Sequence, residues 1–352
     1  MLMGGTSSER DVSMATGLRV AGALRERGHT VVAADTTRGA LTTTEEAAML
    51  SGGVVRTLPP DRTALAQLSR NPLGAVVRDL QPSGGTEVVF LALHGGQGED
   101  GTIQALLDLT GVPYTGSGHL ASALAMDKDL SKHLFRAAGI MTPDWELVRA
   151  GRSTGGSEAP WRMPAFADMV QGRFGFPVIV KPSKEGSTVG LTLVKRREEL
   201  APAIAHAMEY DDEVMVEQFI PGRELTVAVL GELVLPVGEI IPKKELYDYE
   251  CKYTPGMARE VFPADLTDRE TAAVQDAALR AYKALKLSGC ARIDFRMTVK
   301  GEFHCLEANT LPGMTSLSLV PQAAAAAGIS FPDLCDRIVE LAVRQHAQKQ
   351  SS

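Results

Sequence analysis

The chain has 352 residues with 43 acidic against 36 basic side chains, a formal charge of -7, and 44% hydrophobic and 22% charged residues. That length predicts two or three domains around a sizeable core, and that composition excludes a disordered or fibrous chain. The acidic balance, without any run of Lys or Arg, argues against nucleic acid as a partner, and no apolar run reaches the ~20 residues needed to cross a membrane.

The start, Met1-Leu2-Met3-Gly4-Gly5, shows neither a basic nor an apolar signal region, and the cysteines Cys251, Cys290, Cys305 and Cys335 form no CxxC pair. Reduced thiols in a cytoplasmic protein are expected. Thr6-Ser7-Ser8-Glu9 reads as a capping box opening a helix through residue 27, and Gly28 breaks it before a short strand at 30–34. Residues 36–82 carry little legible chemistry. Val88-Val89-Phe90-Leu91-Ala92-Leu93 has the continuous apolar form of a parallel strand covered on both faces. A glycine-rich turn and a helix at 102–109 follow, so the first third reads as α/β. Helical patterning at 121–138 ends at Gly139, and residues 151–164, rich in Gly, Ser and Pro, read as a surface loop. Strands are expected at 177–180, 191–194, 214–217 and 225–230. An Ala-rich helix at 268–285, a hairpin at 291–309 and a last helix at 331–346 complete an α/β domain followed by two α+β pieces.

The hairpin carries the strongest chemical signal. With the turn at Lys300-Gly301, alternation sets Asp294 opposite Glu307 and Arg292 opposite Asn309, with Phe295 against Leu306 and Ile293 against Ala308 on the other face. Two carboxylates with Cβ atoms roughly 5 Å apart destabilise a sheet unless positive charge lies between them. Asp, Glu and Asn offer hard oxygens suited to Mg²⁺ or Mn²⁺ and not to zinc; a solvated polar face or a salt bridge with Arg292 is the structural alternative.

A second signal is Lys181-Pro182-Ser183-Lys184-Glu185-Gly186-Ser187-Thr188-Val189-Gly190 between two strands. A strand-borne lysine before a Gly/Ser loop supplies an ammonium, hydroxyls and backbone N–H groups to phosphate oxygens, although no Walker A sequence occurs. With the carboxylates, it points to a nucleoside triphosphate. Gly96-Gln97-Gly98-Glu99-Asp100-Gly101 fits GxGxxG, but the acidic residue expected about 20 positions on is missing, and Glu99-Asp100 would oppose a pyrophosphate. A dinucleotide-dependent oxidoreductase is therefore set aside.

Seven motifs then come in order: Gly4-Gly5-Thr6-Ser7-Ser8-Glu9-Arg10, Leu93-His94-Gly95-Gly96-Gln97-Gly98-Glu99-Asp100-Gly101, Tyr114-Thr115-Gly116-Ser117-Gly118, Met126-Asp127-Lys128, the 181–190 loop, Tyr247-Asp248-Tyr249-Glu250-Cys251-Lys252-Tyr253, and Glu307-Ala308-Asn309-Thr310-Leu311-Pro312-Gly313-Met314-Thr315. Together they resemble the D-alanine–D-alanine ligases. The resemblance implies an ATP-grasp fold: an N-terminal α/β domain at 1–118, a central subdomain at 119–217 and a C-terminal subdomain at 218–352. It also implies ATP-dependent joining of two D-alanines through a D-alanyl phosphate, for peptidoglycan synthesis, by a cytoplasmic homodimer. A D-Ala–D-Lac or D-Ala–D-Ser ligase, or a non-catalytic ATP-binding protein, are the alternatives.

By the same resemblance, Lys128, Lys181 and Lys252 contact ATP phosphates, with Ser187 in the flexible loop. Glu217 partners adenine, with Gln218, Phe219 and Ile220 along the base and Glu224 on the ribose. Asp294, Glu307 and Asn309 match a site for two Mg²⁺ or Mn²⁺ ions. Arg292 and the Gly313 N–H match oxyanion donors. Glu9 would take the first substrate's ammonium, His94 lie near its carboxylate, and Ser318 and Leu319 hold the second substrate's carboxylate. Glu9, Ser187 and Tyr253 look like a trio closing the loop, and a tyrosine at 253 favours dipeptide over D-lactate products. Structural alternatives are a cap for Glu9, a core-edge ring for Tyr253, a satisfied histidine for His94 and a helix-start hydroxyl for Ser318. Only three residues precede Gly4-Gly5, where the family has a full first strand, so either a stunted strand or an upstream start is expected.

Overall fold

Residues 1–52, 87–150, 164–247 and 256–350, with 60, 65, 68, 85, 251, 252 and 254, are described by the structure, a computed structural model. Strand β1 (Leu2–Met3) pairs in parallel with β2 (Ala34–Asp35), which turns back on β3 (Gly39–Ala40). The first strand is thus two residues long. The strand expected at 30–34 shrinks to β2, because the Val31 and Val32 carbonyls accept instead from Arg25 (2.9 Å) and the Met1 ammonium (3.0 Å). The apolar run beside β1 is buried from Val89 to Leu93. It makes isolated parallel bridges, Leu2 with Leu91 and Val89 with Tyr114, in place of a continuous ladder.

Helix α1 (Arg10–Glu26) forms, but the Thr6–Glu9 capping box does not: Glu9 sits at the N-cap with no side-chain cap bond. Helix α2 (Thr43–Gly52) falls in the stretch without legible chemistry, and α3 (Thr102–Thr110) follows the glycine turn as expected. The single helix expected at 121–138 is two, α4 (His119–Met126) and α5 (Lys128–Ala137). Asp127 adopts an extended backbone between them, and its carboxylate accepts from the Leu130 N–H (3.1 Å), starting a fresh helix. Lys128 therefore opens α5, with Lys132 one turn further along the same face.

The central sheet is antiparallel in the order β4-β7-β5-β6, from β4 (Trp145–Arg149), β5 (Val178–Pro182), β6 (Thr192–Val194) and β7 (Glu213–Gln218). Val148, Val178, Val180, Val214 and Val216 pack with Val170 of α6 (Pro164–Arg173) and Ile204 of α7 (Leu200–Ala207). The loop expected at 151–164 lies outside the described residues except for Pro164, which begins α6.

Beyond it β8 (Arg223–Leu230), β9 (Leu233–Val234), β10 (Gly238–Pro242), β11 (Ala258–Val261), β12 (Cys290–Met297) and β13 (Phe303–Asn309) form a sheet ordered β11-β10-β8-β12-β13, with β9 on β8. One face packs Val227, Phe295 and Ala308 against Ala125 of α4, Phe135 of α5 and Ala278 of α8 (Asp268–Ala284). By packing, α4 and α5 belong to this sheet although they precede the central one. A second core joins Ala228 and Leu230 of β8 to Leu24 of α1, Val320 of α9 (Leu319–Ala326) and Leu334 of α10 (Phe331–Gln350).

The hairpin pairs Arg292 with Asn309, Ile293 with Ala308 and Asp294 with Glu307. Phe295, however, pairs with Cys305 and not with Leu306, because a bulge follows Asp294. A bulge inserts one unpaired residue and re-aims its side chain, here bringing Leu306 to the wall of the cleft.

Candidate functional site

Two adjoining chambers share Lys128, Ser187, Lys252, Arg292 and Glu307 as common wall. Glu9, His94, Asn309, Gly313 and Ser318 line only the first, while Lys181, Glu217, Gln218, Phe219, Ile220, Glu224 and Asp294 line only the second. Leu319 borders both. Residues far apart in the chain are thus brought together around the two chambers; Tyr253 lies outside the described residues, with 248–250.

The second chamber runs between the two large sheets. Strand β5 delivers Lys181 at its end, and its ammonium donates to Glu217 Oε1 on neighbouring β7 (2.8 Å). Lys132, from α5, donates to the other oxygen of the same carboxylate. Burial raises the Glu217 carboxyl, but Lys132 and Lys181 outweigh it and hold it below the ordinary range. Phe219 and Ile220 follow in the link to β8, where Arg296 donates to the carbonyls of Ile220 (3.1 Å) and Gly222 (2.8 Å) and to Glu224 (3.2 Å). Burial, against the pull of Arg296, lifts Glu224 to about 7.

Asp294 and Glu307 sit on one face of the hairpin. Asp294 accepts from Thr226 (2.7 Å), from Arg292 Nε and Nη2 (3.0 and 2.9 Å), and from the Asn309 amide (3.1 Å). That carboxylate outweighs burial and keeps the Arg292 guanidinium charged. Lys128 Nζ donates to the Glu185 carbonyl (2.6 Å) and lies 3.5 Å from Glu307. Burial pushes Glu307 up, yet Lys128, Lys252, Lys181 and Arg292 together bring it down to about 2. Of the expected answers to the paired carboxylates, the salt bridge with Arg292 is present, and Lys128 adds a second protein cation beside Glu307. Among the described residues no three His, Cys, Asp or Glu side chains cluster tightly enough to hold a metal alone. Two carboxylates and an amide oxygen nonetheless fit a hard divalent cation that takes its remaining ligands from phosphate oxygens.

In the first chamber the loop reaches across to the N-terminal domain, where Ser187 donates to Glu9. Ser187 and Thr188 both hold left-handed backbone, φ 47° and 65°, which a β-branched threonine rarely accepts. Thr188 Oγ1 donates to the Tyr247 carbonyl (3.0 Å), a second latch on the loop. His94 is buried with Nε2 3.1 Å from Thr16 Oγ1, and burial lowers its pKa against the influence of Glu9. Ser318 occupies the N-cap of α9 without capping it; its hydroxyl accepts from the Thr315 N–H (2.9 Å). A Cβ on Gly313 would come 2.9 Å from that hydroxyl, so only glycine leaves the two side by side undisturbed.

Lys132 and Arg296 lie outside the seven motifs, and Thr188 and Glu99 lie inside motifs that assign them no place in the site. Glu99 accepts from the N–H groups of Gly95 (2.7 Å) and Leu311 (3.3 Å), tying the glycine turn to the segment after the hairpin. The spacing of Lys132 four residues after Lys128 was the one available signal; the others depend on tertiary partners.

Two antiparallel sheets closing on one lysine- and carboxylate-lined cleft, behind a small α/β domain, define an ATP-grasp architecture. Family models described as D-ala D-ala ligase N-terminus and C-terminus match residues 1–117 and 134–340. Ligases of that name from Geobacter sulfurreducens and Syntrophotalea carbinolica are 42% and 40% identical, covering 96% of this chain and 92% and 94% of their own. Among solved structures, the Bacillus anthracis D-alanine–D-alanine ligase complexed with ATP superposes with a TM-score of 0.74 at 31% identity, covering 99% of this chain and 98% of that one. The VanG D-Ala:D-Ser ligase from Enterococcus faecalis gives 0.77 at 29% identity, covering 97% and 98%. The chain belongs to the D-alanine–D-alanine ligase family.

Proposed function

We propose that this chain joins two D-alanines at the expense of ATP, giving D-alanyl-D-alanine, ADP and phosphate for peptidoglycan precursors. The observation that carries the reading is the pair of chambers meeting over Lys128, Lys252, Arg292 and Glu307. ATP lies in the second chamber, its base along residues 217–220, its ribose by Glu224 and its phosphates towards Lys128, Lys181, Lys252 and Ser187. The D-alanines lie in the first, the ammonium of one on Glu9 with His94 near its carboxylate, the carboxylate of the other by Ser318 and Leu319.

A carboxylate oxygen of the first D-alanine attacks the γ-phosphorus, and ADP leaves. The free amine of the second then attacks the acyl carbon, phosphate leaves, and the amine proton is lost. Lys128 and Lys252 offset charge on the transferring phosphoryl oxygens, and Arg292 with the Gly313 N–H faces the oxyanion of the tetrahedral state. Asp294, Glu307 and Asn309 would hold Mg²⁺ or Mn²⁺, two ions, which when bound would supply further positive charge there. Ser187 bound to Glu9 closes the loop and excludes water that would hydrolyse the acyl phosphate. Tyr253 completes that closure in this reading. Among the described residues no helix is long and apolar enough to cross a membrane; the enzyme works in the cytoplasm as a homodimer.

The likeness to a D-Ala:D-Ser ligase favours D-serine as the second reading for the second substrate. Phosphate release from ATP, assayed with D-alanine alone, D-alanine plus D-serine or D-lactate, L-alanine, and without divalent metal, separates the readings. Release is expected with D-alanine and metal only. Equal release with L-alanine overturns the substrate assignment, and preferential D-Ala–D-Ser formation selects the second reading.

A further inference from the structure

Lys132 is among the largest side chains wholly shut off from solvent in the molecule's described part, and no step above uses it. Its ammonium holds one oxygen of Glu217 while Lys181 holds the other at 2.8 Å, so one buried carboxylate has two cationic partners. The two lysines differ in freedom. Lys181 stands at the end of its strand and lines the second chamber, whereas Lys132 lies behind Glu217, with Nζ 5.1 Å from the Trp145 ring, and does not reach the chamber. A surplus positive charge in a buried site is costly unless an anion arrives to meet it. Only Lys181 is placed to meet one.

We propose that Lys132 is a positioning residue, the permanent counter-ion of Glu217, and that Lys181 is a placeholder which nucleotide binding moves from Glu217 Oε1 to a phosphate oxygen. The inference rests on the reading of the second chamber as the ATP seat. The exchange frees Oε1 to accept from an exocyclic amine while Lys132 keeps the carboxylate charged and its plane fixed. A purine bearing an amine at that edge is accepted. One bearing a carbonyl oxygen there, as in guanine, meets a carboxylate and is refused, because two acceptors face each other. Burial draws the Lys132 ammonium down to about 8 against the pull of Glu217, consistent with a charge kept only by its partner.

Lys132→Met keeps an unbranched side chain of nearly the same length and removes the charge. Without nucleotide, Lys181 still pairs Glu217, so the melting temperature is expected to stay near that of the parent enzyme. With nucleotide, Lys181 must leave an unpaired buried carboxylate. The KM for ATP is then expected to rise at least about tenfold, the KM for D-alanine to stay within about twofold, and the ATP-over-GTP ratio of kcat/KM to fall about tenfold. Lys181→Met serves as the complement, and also serves if Lys132→Met does not fold: KM for ATP rises but the ATP-over-GTP ratio holds, since Lys132 still pins Glu217. Unchanged ATP kinetics in Lys132→Met overturn the proposal, as does a joint rise of both KM values with a lowered melting temperature. Loss of ATP-over-GTP preference in Lys181→Met also overturns it. Glu217→Gln separates the layers. If it leaves that preference untouched, the ATP seat itself is misassigned; if it alone shifts the preference, only the role of Lys132 falls.

Discussion

Single side chains in this cleft are set by their neighbours more than by their own chemistry. Burial first, and the charge of Glu9 second, push the Glu99 carboxyl from 4.5 up to about 8. Between those values the folded chain keeps a proton that the unfolded chain has lost, so this group makes stability fall as pH rises from about 4.5 to about 8. Glu9→Gln still offers Ser187 an acceptor oxygen but removes the repulsion. The melting temperature of the variant is therefore expected to decline less than that of the parent protein between about pH 5 and pH 8, in a series at constant ionic strength. Parallel declines would show that Glu9 does not act on Glu99. The sequence marks Glu9 readily, because it sits in a dense motif, but misreads its bond. A Thr-x-x-Glu pattern predicts local capping, and only the tertiary approach of a loop 178 residues away diverts the carboxylate to Ser187. Beyond its spacing from Lys128, Lys132 says little for the same reason: a lysine in a helical stretch reads as solvent-facing until Glu217, 85 residues on, is known to lie behind it.

Among the elements, the link from β7 to β8 governs the second chamber. Gly222 has φ 139°, and a Cβ there would stand 2.0 Å from the Met297 carbonyl oxygen. Arg296 fixes the carbonyls on either side of that turn, Ile220 and Gly222. Gly222→Ala must displace the link, at a cost of about 1–3 kcal/mol for the strained backbone. Thermal melting should show that loss, and the KM for ATP should rise several-fold while the KM for D-alanine does not; a lowered melting temperature with unchanged ATP kinetics would detach the link from nucleotide binding. Much at this scale was readable beforehand. Alternation along 291–309 places Arg292, Asp294, Glu307 and Asn309 on one face, because period-two patterning reports the pleat directly. It fails one residue later, at Leu306, since a bulge breaks the period without any marker such as glycine. The 121–138 helix fails similarly: Asp127 reads as another helical residue, and only its extended backbone reveals a cap.

The whole molecule is sewn together unevenly, and that unevenness governs how it opens. Leu24 of α1 lies in one core with Val320, Leu334 and Ile338 near the end of the chain. Polar contacts reinforce the seam: Arg19 lies 3.6 Å over the Phe331 ring and donates to the Met314 carbonyl (2.7 Å), and Arg27 approaches Asp333 (3.2 Å) and Asp336 (3.3 Å). The central sheet instead buries Ile204 among Val148, Val180 and Val216, in a core of its own. The first and last parts of the chain thus share one core and the central part has another, and the contacts that bridge them include Ser187 with Glu9, Thr188 with Tyr247 and Lys132 with Glu217. Leu24→Ala and Ile204→Ala each empty a core site and should each cost about 2–5 kcal/mol. Hydrogen exchange read by mass spectrometry distinguishes their reach. Leu24→Ala is expected to speed exchange in both α1 and α10 while leaving β5 and β7 protected, and Ile204→Ala the reverse. Acceleration of α1 alone would mean that the seam holds little energy; acceleration everywhere by either variant would mean that the cleft-crossing contacts bind the molecule into a single unit.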